Sequence, residues 1–305
     1  MNYIIYYFNF TDMLSDAIIQ KRERSATNMS IEVEHLTKSY KIKNRSMKDS
    51  SVKHLFDKKY SYATAVNDIS FTIQAGDIVG FIGANGAGKS TTIKMLTGIL
   101  TPDNGTISVN GLNFKKNRKE IMLKIGVVFG QRSVLCWDIP VIESFKLFKD
   151  MYRIPEKIYS ENIEIFSDIL NLSEFIYKPP RLLSLGQRMK ADLAAALLHN
   201  PEVLFLDEPT IGIDVLAKAK IRDFIIKMNQ VKNTTIILTT HDISDIESLC
   251  RKMLIIDKGS LLYDGTLDEL KSKYHFTPTE ESHQKPPMSN SLETIIKSIY
   301  EGGCL

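Results

Sequence analysis

The sequence predicts an α/β fold in which a core of strands and helices carries two attached subdomains. Four short aliphatic runs are typical of buried strands and lie at residues 76–83, 125–130, 203–210 and 234–241. Helical patterns fill much of the chain between these runs, and residues 138–200 contain helical patterns alone. Strands that alternate with helices predict an α/β core, and the all-helical stretch predicts an inserted subdomain.

The first clear strand pattern begins at Met29, and residues 1–28 are predicted to be a disordered N-terminal extension. The opening MNYIIYYFNF is apolar over a few residues only and is followed by Asp12 and Asp16. Because no basic segment precedes its apolar residues, we interpret it as neither a signal peptide nor an anchor. Two explanations stay open: Met29 is the initiator, or a native extension precedes the domain.

Half-buried strands are predicted from Ile31 onward and again over residues 67–74, where apolar and polar residues alternate. The basic run at residues 41–60 lies between them. We interpret it as a solvated surface excursion, with contact to lipid headgroups as the alternative. After the strand that ends at Gly83, a helical stretch is predicted to continue to Leu100.

Shorter elements follow from turn residues and from the chain end. TISVNG, residues 106–111, ends in Asn-Gly and predicts a hairpin, while MLIIDKG and SLLYDG are predicted to form short edge strands. The folded domain is thus predicted to span residues 29–274, followed by a polar linker at 275–290.

Residues 291–305 are predicted to carry a C-terminal amphipathic helix. Asn290 and Glu293 have the spacing of a capping box before it. One apolar face, expected to dock on the domain, is formed by Leu292, Ile295, Ile296 and Ile299.

Composition excludes several classes of protein. The chain of 305 residues is 43% hydrophobic and 25% charged, an ordinary soluble globular profile, and no apolar run is long enough to span a bilayer. The net charge of +3 is too small to indicate a nucleic-acid partner. The three cysteines are widely spaced, lack metal-ligand spacing and suit a reduced compartment.

A phosphate-binding loop follows the aliphatic run that ends at Gly83. GANGAGKST matches the pattern G-x-x-x-x-G-K-[ST] between a strand and a helix, which is the context that this motif requires. Backbone N–H groups of such a loop surround the β-phosphate, its lysine reaches the β- and γ-phosphate oxygens, and its serine hydroxyl ligates Mg²⁺. The predicted nucleotide contacts are Gly83, Ala84, Asn85, Gly86, Ala87, Gly88, Lys89, Ser90 and Thr91.

Two carboxylates end the buried run VLFLDEPT, at the edge where open parallel sheets bind ligands. Asp207 is predicted to hold Mg²⁺, directly or through water. Glu208 is predicted to orient and deprotonate the attacking water.

Polar residues also end two other runs. His241 ends the next strand, in LTTHD, and is predicted to contact the γ-phosphate. Gln131 ends IGVVFGQ and is predicted to contact Mg²⁺ and the lytic water.

Taken in order, these segments resemble the ATP-binding subunit of an ABC transporter, over about residues 31–270. GANGAGKS is similar to its Walker A motif and VLFLDEP to its Walker B motif, while Gln131 falls at the Q-loop and His241 at the H-loop. GID resembles the D-loop, which adds Asp214 to the expected nucleotide contacts. The resemblance implies a P-loop NTPase core, an ABC-type antiparallel β subdomain and a helical subdomain at about 132–200, with ATP and Mg²⁺ as cofactors.

The segment LSLGQ resembles the family signature LSGGQ, with Leu185 in place of the first glycine. Two subunits of this family pair head to tail. The resemblance therefore implies that Ser184, Gly186 and Gln187 of one chain complete the ATP site of a second ATP-binding subunit, identical or different. An ordinary helix cap is the alternative interpretation.

The family stacks adenine on an aromatic residue after the first strand. Tyr40 in TKSY fits that place, and Tyr60 and Tyr62 compete with it because the basic run separates the two strands.

Transport by such a subunit requires a separate membrane permease. The family receives the permease's coupling helices at the segment RSVLCWDIPVIESFKLF, which contains Trp137; a core position is the alternative for this side chain. FGQR…WDIP, TTHD…DIE and the C-terminal helix look most like subunits of ABC-2 exporters, expected on the cytoplasmic face of the membrane. An importer subunit and a soluble ABC-type ATPase acting on nucleic acid or ribosomes are the alternatives.

Overall fold

The framework of the fold consists of a four-stranded antiparallel sheet and a six-stranded sheet that is mostly parallel. A computed structural model describes residues 29–43, 60–130, 132–273 and 292–300 of the chain. Within these residues the predicted α/β core, antiparallel subdomain and helical insertion are confirmed.

The six-stranded sheet carries the strand ends on which the site is built. Its strands, in spatial order, are β10 (Ser260–Thr266), β9 (Lys252–Asp257), β3 (Ile78–Gly83), β8 (Thr235–Thr239), β7 (Val203–Asp207) and β6 (Ile125–Phe129). All neighbours pair in parallel except β9 with β10. The prediction that MLIIDKG forms an edge strand is wrong, because β9 lies inside the sheet beside β3, while SLLYDG forms the edge strand β10.

The antiparallel sheet has the order β2 (Tyr60–Gln74), β1 (Met29–Lys43), β4 (Asn104–Val109) and β5 (Leu112–Asn113). The predicted hairpin is confirmed, since Asn110 and Gly111 both have positive φ angles (49° and 75°) and join β4 to β5. Both ends of the basic run are paired strand rather than surface excursion, because Lys43 lies opposite Tyr60 in the ladder. The rest of that run lies outside the described residues.

Helices cover both faces of the parallel sheet or form the insertion. They are α1 (Lys89–Leu96), α2 (Arg118–Met122), α3 (Val141–Tyr152), α4 (Glu156–Leu170), α5 (Leu185–Leu197), α6 (Val215–Lys232), α7 (Ile243–Leu249), α8 (Leu267–Lys273) and α9 (Leu292–Tyr300). The helix predicted to reach Leu100 ends at Leu96, because Gly98 adopts a left-handed φ of 68° and its N–H turns back to the Met95 carbonyl. The short helix α2 has no counterpart among the predicted elements.

Two hydrophobic clusters lie on opposite faces of the parallel sheet. Alternate residues of β7 serve each of them: Leu204 and Leu206 pack with the helical insertion, and Val203 and Phe205 pack with the antiparallel sheet. The sheet is therefore buried on both sides, as the unbroken aliphatic runs predicted.

Helix α9 docks on the domain as expected, since its four apolar residues Leu292, Ile295, Ile296 and Ile299 are buried in the first of these clusters. The capping residue Asn290, the linker at 275–290 and the extension at 1–28 lie outside the described residues. Among the helices that the structure describes, none combines the length and the apolar character needed to cross a bilayer.

Candidate functional site

The phosphate-binding loop joins β3 to α1 and depends on two glycines with positive φ. Gly86 and Gly88 have φ angles of 80° and 111°, which L-residues rarely adopt. A Cβ on Gly88 would also lie 2.5 Å from the Ala65 carbonyl oxygen. The Gly259 N–H donates to the Ala87 carbonyl at 2.9 Å, which ties the loop to the turn after β9. The loop therefore presents its backbone at the N-terminus of α1, where anions bind.

Lys89 is the buried cation of this loop. Its side chain is 6% exposed, and its Nζ donates to the carbonyls of Gly83 at 2.5 Å and Ala84 at 3.2 Å. Burial lowers the pKa of Lys89, and the carboxylates of Glu208 and Asp207 act in the opposite direction. The ammonium thus lies within electrostatic reach of both carboxylates at the end of β7.

A threonine on the neighbouring strand holds the Asp207 carboxylate and the backbone of Glu208. Thr239 Oγ1 donates to Asp207 Oδ1 at 2.6 Å, and the Glu208 N–H donates to the same hydroxyl oxygen at 3.1 Å and to the Thr239 carbonyl at 3.0 Å. Glu208 itself has a left-handed φ of 54°, a conformation that costs roughly 1–3 kcal/mol for an L-residue. The chain turns sharply here, so the fold determines the direction of both side chains.

His241 meets Glu208 across the ends of adjacent strands. Its Nε2 lies 2.9 Å from Glu208 Oε1, because β8 and β7 are neighbours and both residues follow the carboxyl ends of their strands. The side chain of His241 is 46% exposed and that of Glu208 is 23% exposed, so the pair faces an open space. A cavity of about 530 Å³ is lined by both residues and by Thr210, Lys218 and Asp242, among others.

The cavity also contains an ion pair. Lys218 Nζ lies 2.7 Å from Asp242 Oδ2, and this bond, with that from Ser244, lowers the pKa of Asp242 to about 2. Asp242 also accepts the Ser244 N–H at 3.0 Å and so caps α7. The residue after His241 is therefore fixed from two directions.

The segment of Gln131 approaches the carboxylates, although Gln131 lies outside the described residues. The Gly130 N–H donates to the Asp207 carbonyl at 2.7 Å. A Cβ on Gly130 would lie 2.4 Å from the Glu208 carbonyl oxygen, so this close approach requires glycine.

Oxygen donors suited to a magnesium ion are present at this edge. Ser90 is exposed at the first turn of α1, and Asp207 offers a carboxylate at the end of β7. Within the described ranges, no group of three or more His, Cys, Asp or Glu residues could hold a metal by protein ligands alone. One hydroxyl and one carboxylate fit Mg²⁺, which takes its other ligands from phosphates and water.

The segment LSLGQ forms a complete N-terminal cap on α5. Ser184 Oγ accepts the Gln187 N–H at 3.2 Å, and Gln187 Oε1 accepts the Ser184 N–H at 3.1 Å. The helix-cap interpretation thus describes a real structural role of these side chains. The Ser184 hydroxyl acts as an acceptor in this cap and can still donate its own proton, so capping is compatible with binding an anion.

The signature segment also packs on the segment that follows Glu208. A Cβ on Gly186 would lie 3.1 Å from the Ala217 Cβ, and one on Gly212 would lie 3.2 Å from a methyl of Leu185. Leu185, which replaces a family glycine, is accommodated because Gly212 has no side chain. Asp214 Oδ1 accepts the Ala217 N–H at 2.9 Å and caps α6.

The three candidate tyrosines for adenine lie on opposite faces of one ladder. Tyr40 pairs with Ala63, whereas Tyr62 pairs with Lys41 and Tyr60 with Lys43. Because directly opposed residues share a face and neighbours alternate, Tyr40 lies on one face and the other two tyrosines on the other. The Lys41 ammonium lies 3.8 Å from the centre of the Tyr60 ring.

Trp137 is 52% exposed, which excludes the core interpretation of its side chain. Val134, Leu147 and Met151 of the same segment and of α3 are exposed as well. We refer to these four exposed residues, which belong to one segment of the chain and the helix that follows it, as the Trp137 surface.

Sequence reasoning missed three residues that shape the site. Thr239 and Gly130 each occupy a strand end beside a predicted site residue, and a polar residue or glycine at that point of an aliphatic run was the available signal. Lys218 offered no such signal, because its contact with Asp242 joins positions 24 residues apart.

Comparisons with known proteins concern the family and the fold of this chain. The sequence model of the ABC transporter family matches residues 66–211. The bacitracin transport ATP-binding protein BcrA of Bacillus licheniformis is 36% identical over 71% of this chain and 69% of its own length. The methionine import ATP-binding protein MetN 2 of Enterococcus faecalis is 30% identical over 82% of this chain and 74% of its own.

A solved structure of an ATP-binding subunit of an ABC transporter superposes with a TM-score of 0.70 and 23% identity. The match covers 88% of this chain and 99% of that one. This likeness shows the fold.

Proposed function

Because the chain belongs to the family of ABC transporter ATP-binding subunits, we propose that its ATPase activity powers export through a separate membrane permease. The observation that carries the proposal is the contact between Glu208 and His241 at 2.9 Å. It lies at the edge of the sheet where the Lys89 ammonium interacts electrostatically with the carboxylates of Glu208 and Asp207. A carboxylate, an imidazole and a buried ammonium together provide the groups that phosphoryl transfer to water requires.

In the proposed site, the backbone from Gly83 to Thr91 and the Lys89 ammonium bind the β- and γ-phosphates of ATP. Ser90 and Asp207 hold Mg²⁺, which neutralises charge on the phosphate oxygens when it is bound. Gln131 contacts the same ion and the water. Its neighbour Gly130 is bonded to the Asp207 carbonyl, which supports this role.

Glu208 accepts a proton from the attacking water in this proposal, and His241 contacts the γ-phosphate. The contact between the two side chains supports these roles. The approach of His241 Nε2 to Glu208 Oε1 at 2.9 Å places the imidazole beside the carboxylate, and both side chains line the same cavity. Removal of the Glu208 charge should stop hydrolysis and leave nucleotide binding to the loop and Lys89.

We assign the second half of each ATP site to a second ATP-binding subunit. Ser184, Gly186 and Gln187 of one subunit, with Asp214, are proposed to contact the γ-phosphate bound by the other. The exposed N-terminus of α5 supports this arrangement, since a capped helix start with a spare hydroxyl proton is suited to an anion. We propose that adenine stacks on Tyr40. Because Tyr60 and Tyr62 lie on the opposite face of the strand ladder, they cannot contact the same adenine at the same time.

The Trp137 surface is proposed to receive the permease. It begins three residues after Gln131, so contact with a membrane subunit would reach the γ-phosphate through one short segment. An apolar cavity of about 200 Å³ adjoins this surface and is lined by Val134, Phe148 and Tyr152, among others. The subunit would then work at the cytoplasmic face of the membrane without entering the bilayer.

Export is the finer part of the proposal. Its support is the likeness of FGQR…WDIP, TTHD…DIE and the C-terminal helix to ABC-2 exporter subunits, together with the similarity to a bacitracin transport protein. The similarity to a methionine import protein keeps the importer as the competing function.

The experiment that tests the proposal uses Glu208→Gln in the native host. With ATP present, this variant should accumulate as an ATP-bound dimer in size-exclusion chromatography and should co-purify with a multi-span membrane protein from gently solubilised membranes. Glu202→Gln, at the opposite end of β7, is the matched control and should behave as wild type. Recovery of the trapped variant with ribosomes or nucleic acid in the soluble fraction would overturn the proposal that the ATPase activity of this chain powers transport through a permease. Brisk turnover by it would remove Glu208 as the base.

A further inference from the structure

A buried carboxylate connects the segments that carry Glu208 and His241. Asp245, on α7, has no exposed surface, and its Oδ2 accepts the hydroxyls of Thr210 at 2.5 Å and Thr240 at 3.2 Å. Thr210 lies two residues after Glu208, and Thr240 directly precedes His241. One carboxylate oxygen is therefore bonded to both catalytic segments.

The other oxygen of Asp245 is bonded to α6. Arg222 Nε donates to Asp245 Oδ1 at 2.6 Å, its Nη2 contacts the same oxygen, and Nη2 also donates to Ser244 Oγ at 2.7 Å. We call Asp245, Arg222, Thr210 and Thr240 the Asp245 cluster. Since both carboxylate oxygens have two donors, the carboxylate is held in a single orientation.

A second ion pair on the same helix reinforces this arrangement. Lys218, one turn before Arg222 on α6, is bonded to Asp242 at 2.7 Å. Helix α6 is thus bonded directly to two residues that follow His241, Asp242 through Lys218 and Asp245 through Arg222. The residue before His241, Thr240, is joined to this arrangement by its bond to Asp245. Helix α6 begins at the cap formed by Asp214.

The segment after Glu208 has few strong backbone bonds of its own. The Ile211 N–H reaches the Glu208 carbonyl, and the Ile213 N–H the Thr210 carbonyl, each at 3.4 Å, near the outer limit of a hydrogen bond. His241 is half-exposed, so packing does little to fix its side chain. Glu208 is already held by its two bonds to Thr239, so the shared carboxylate matters most for the position of His241.

We propose that Asp245 is a positioning residue for ATP hydrolysis, which holds His241 opposite Glu208 and connects this pair to the helix that begins at Asp214. The proposal rests on the proposed roles of Glu208 and His241. Asp245 is bonded to neither residue through its carboxylate in the described contacts, and it acts through the threonines beside them.

The first test is Asp245→Asn, measured by steady-state hydrolysis over a range of ATP concentrations. Asparagine removes the negative charge that pairs with Arg222 and leaves one acceptor oxygen where the carboxylate has two, so the threonines and Arg222 no longer all donate to one charged group. We expect kcat to fall about tenfold or more while KM for ATP changes less than threefold, because the phosphate-binding loop is not touched. The matched control is Asp264→Asn, which removes a 2.7 Å ion pair with Lys252 at the β10 edge of the sheet and should leave both constants unchanged.

The second test separates positioning from general stabilisation. In single-turnover hydrolysis, Asp245→Asn should cost little further rate in a His241→Ala background, because its effect passes through His241. Full additivity of the two losses would overturn the proposal, as would a folded Asp245→Asn protein with wild-type kcat. Should Asp245→Asn be insoluble, Arg222→Lys replaces it, since lysine keeps the charge and loses the forked contact.

The proposed role of His241 and the positioning role of Asp245 can be refuted separately. A wild-type rate for His241→Ala would remove the proposed role of His241 whatever Asp245→Asn does. A slow His241→Ala combined with a fast Asp245→Asn would remove the positioning role alone.

Discussion

Replacement of Asp192 by asparagine is expected to change how the stability of the protein depends on pH. Asp192 lies on α5, is 3% exposed, and its Oδ1 accepts the Ser133 hydroxyl at 2.8 Å and the Val134 N–H at 3.0 Å. Burial raises the pKa of this carboxyl from 3.8 to about 6, even though these two bonds act against it. An asparagine oxygen can accept the same two bonds without a charge.

The sign follows from proton binding in the two states. Because the folded protein binds this proton more tightly than the unfolded chain, the carboxyl destabilises the fold increasingly as pH rises from about 4 through about 6. The free energy of unfolding should fall by about 1 kcal/mol between pH 5 and pH 7 from this group alone, and the full difference at higher pH is about 3 kcal/mol. Asp192→Asn lacks this dependence and should gain stability relative to wild type as pH rises.

The assay is urea unfolding of both proteins at pH 5, 6 and 7. The quantity compared is the difference in unfolding free energy between wild type and variant, in which the titration of all other groups cancels. Asp168→Asn, at an exposed position on α4, controls for the loss of one negative charge from the same subdomain. A wild-type-minus-variant difference that stays constant across this pH range would refute the reasoning.

Three further changes have expected outcomes. Gly88→Ala, with φ at 111° and a Cβ 2.5 Å from the Ala65 carbonyl, should weaken ATP binding at least tenfold by calorimetry. Thr239→Val removes the hydroxyl that donates to Asp207 at 2.6 Å, and should lower kcat about tenfold with little change in thermal stability. Ile296→Ala, 6% exposed on α9, should lower the free energy of unfolding by about 2–4 kcal/mol and leave ATP binding intact.

Each of these expectations has a contrary result. Normal ATP affinity in Gly88→Ala would mean that the loop adopts another conformation to bind nucleotide. A wild-type kcat in Thr239→Val would show that Asp207 needs no partner on β8. An unchanged free energy of unfolding in Ile296→Ala would mean that α9 does not pack on the core.

Much of the candidate site could be predicted because its chemistry is local. The spacing of Gly83, Gly88 and Lys89 identified the phosphate-binding loop, and the positive φ of Gly88 explains why that position is glycine. The aliphatic runs located β7 and β8, and their last residues supplied Glu208 and His241. These features depend on backbone conformation and burial over a few neighbouring residues.

The errors concern neighbours in space. The run MLIIDKG was expected at an edge, yet β9 lies between β3 and β10, because an aliphatic pattern reports burial and not the identity of the adjoining strand. The helix that was expected to reach Leu100 ends at Leu96, since a left-handed glycine competes with helix propagation. Both ends of the basic run belong to β1 and β2, whose long-range pairing outweighs the polar character of the segment.

The sequence by itself determined the fold class, the phosphate-binding loop and the residues that end the aliphatic runs. Local sterics and hydrophobic periodicity act within windows of about ten residues and can be read without coordinates. The tertiary structure alone decided that Glu208 meets His241, that Tyr40 faces away from Tyr60 and Tyr62, and that Asp245 is bonded to the segments that carry Glu208 and His241. The contacts of Glu208 with His241 and of Thr210 with Asp245 join residues far apart in the sequence, and the faces of the tyrosines depend on strand register. The energies of such contacts exist only after the chain has buried its sheet.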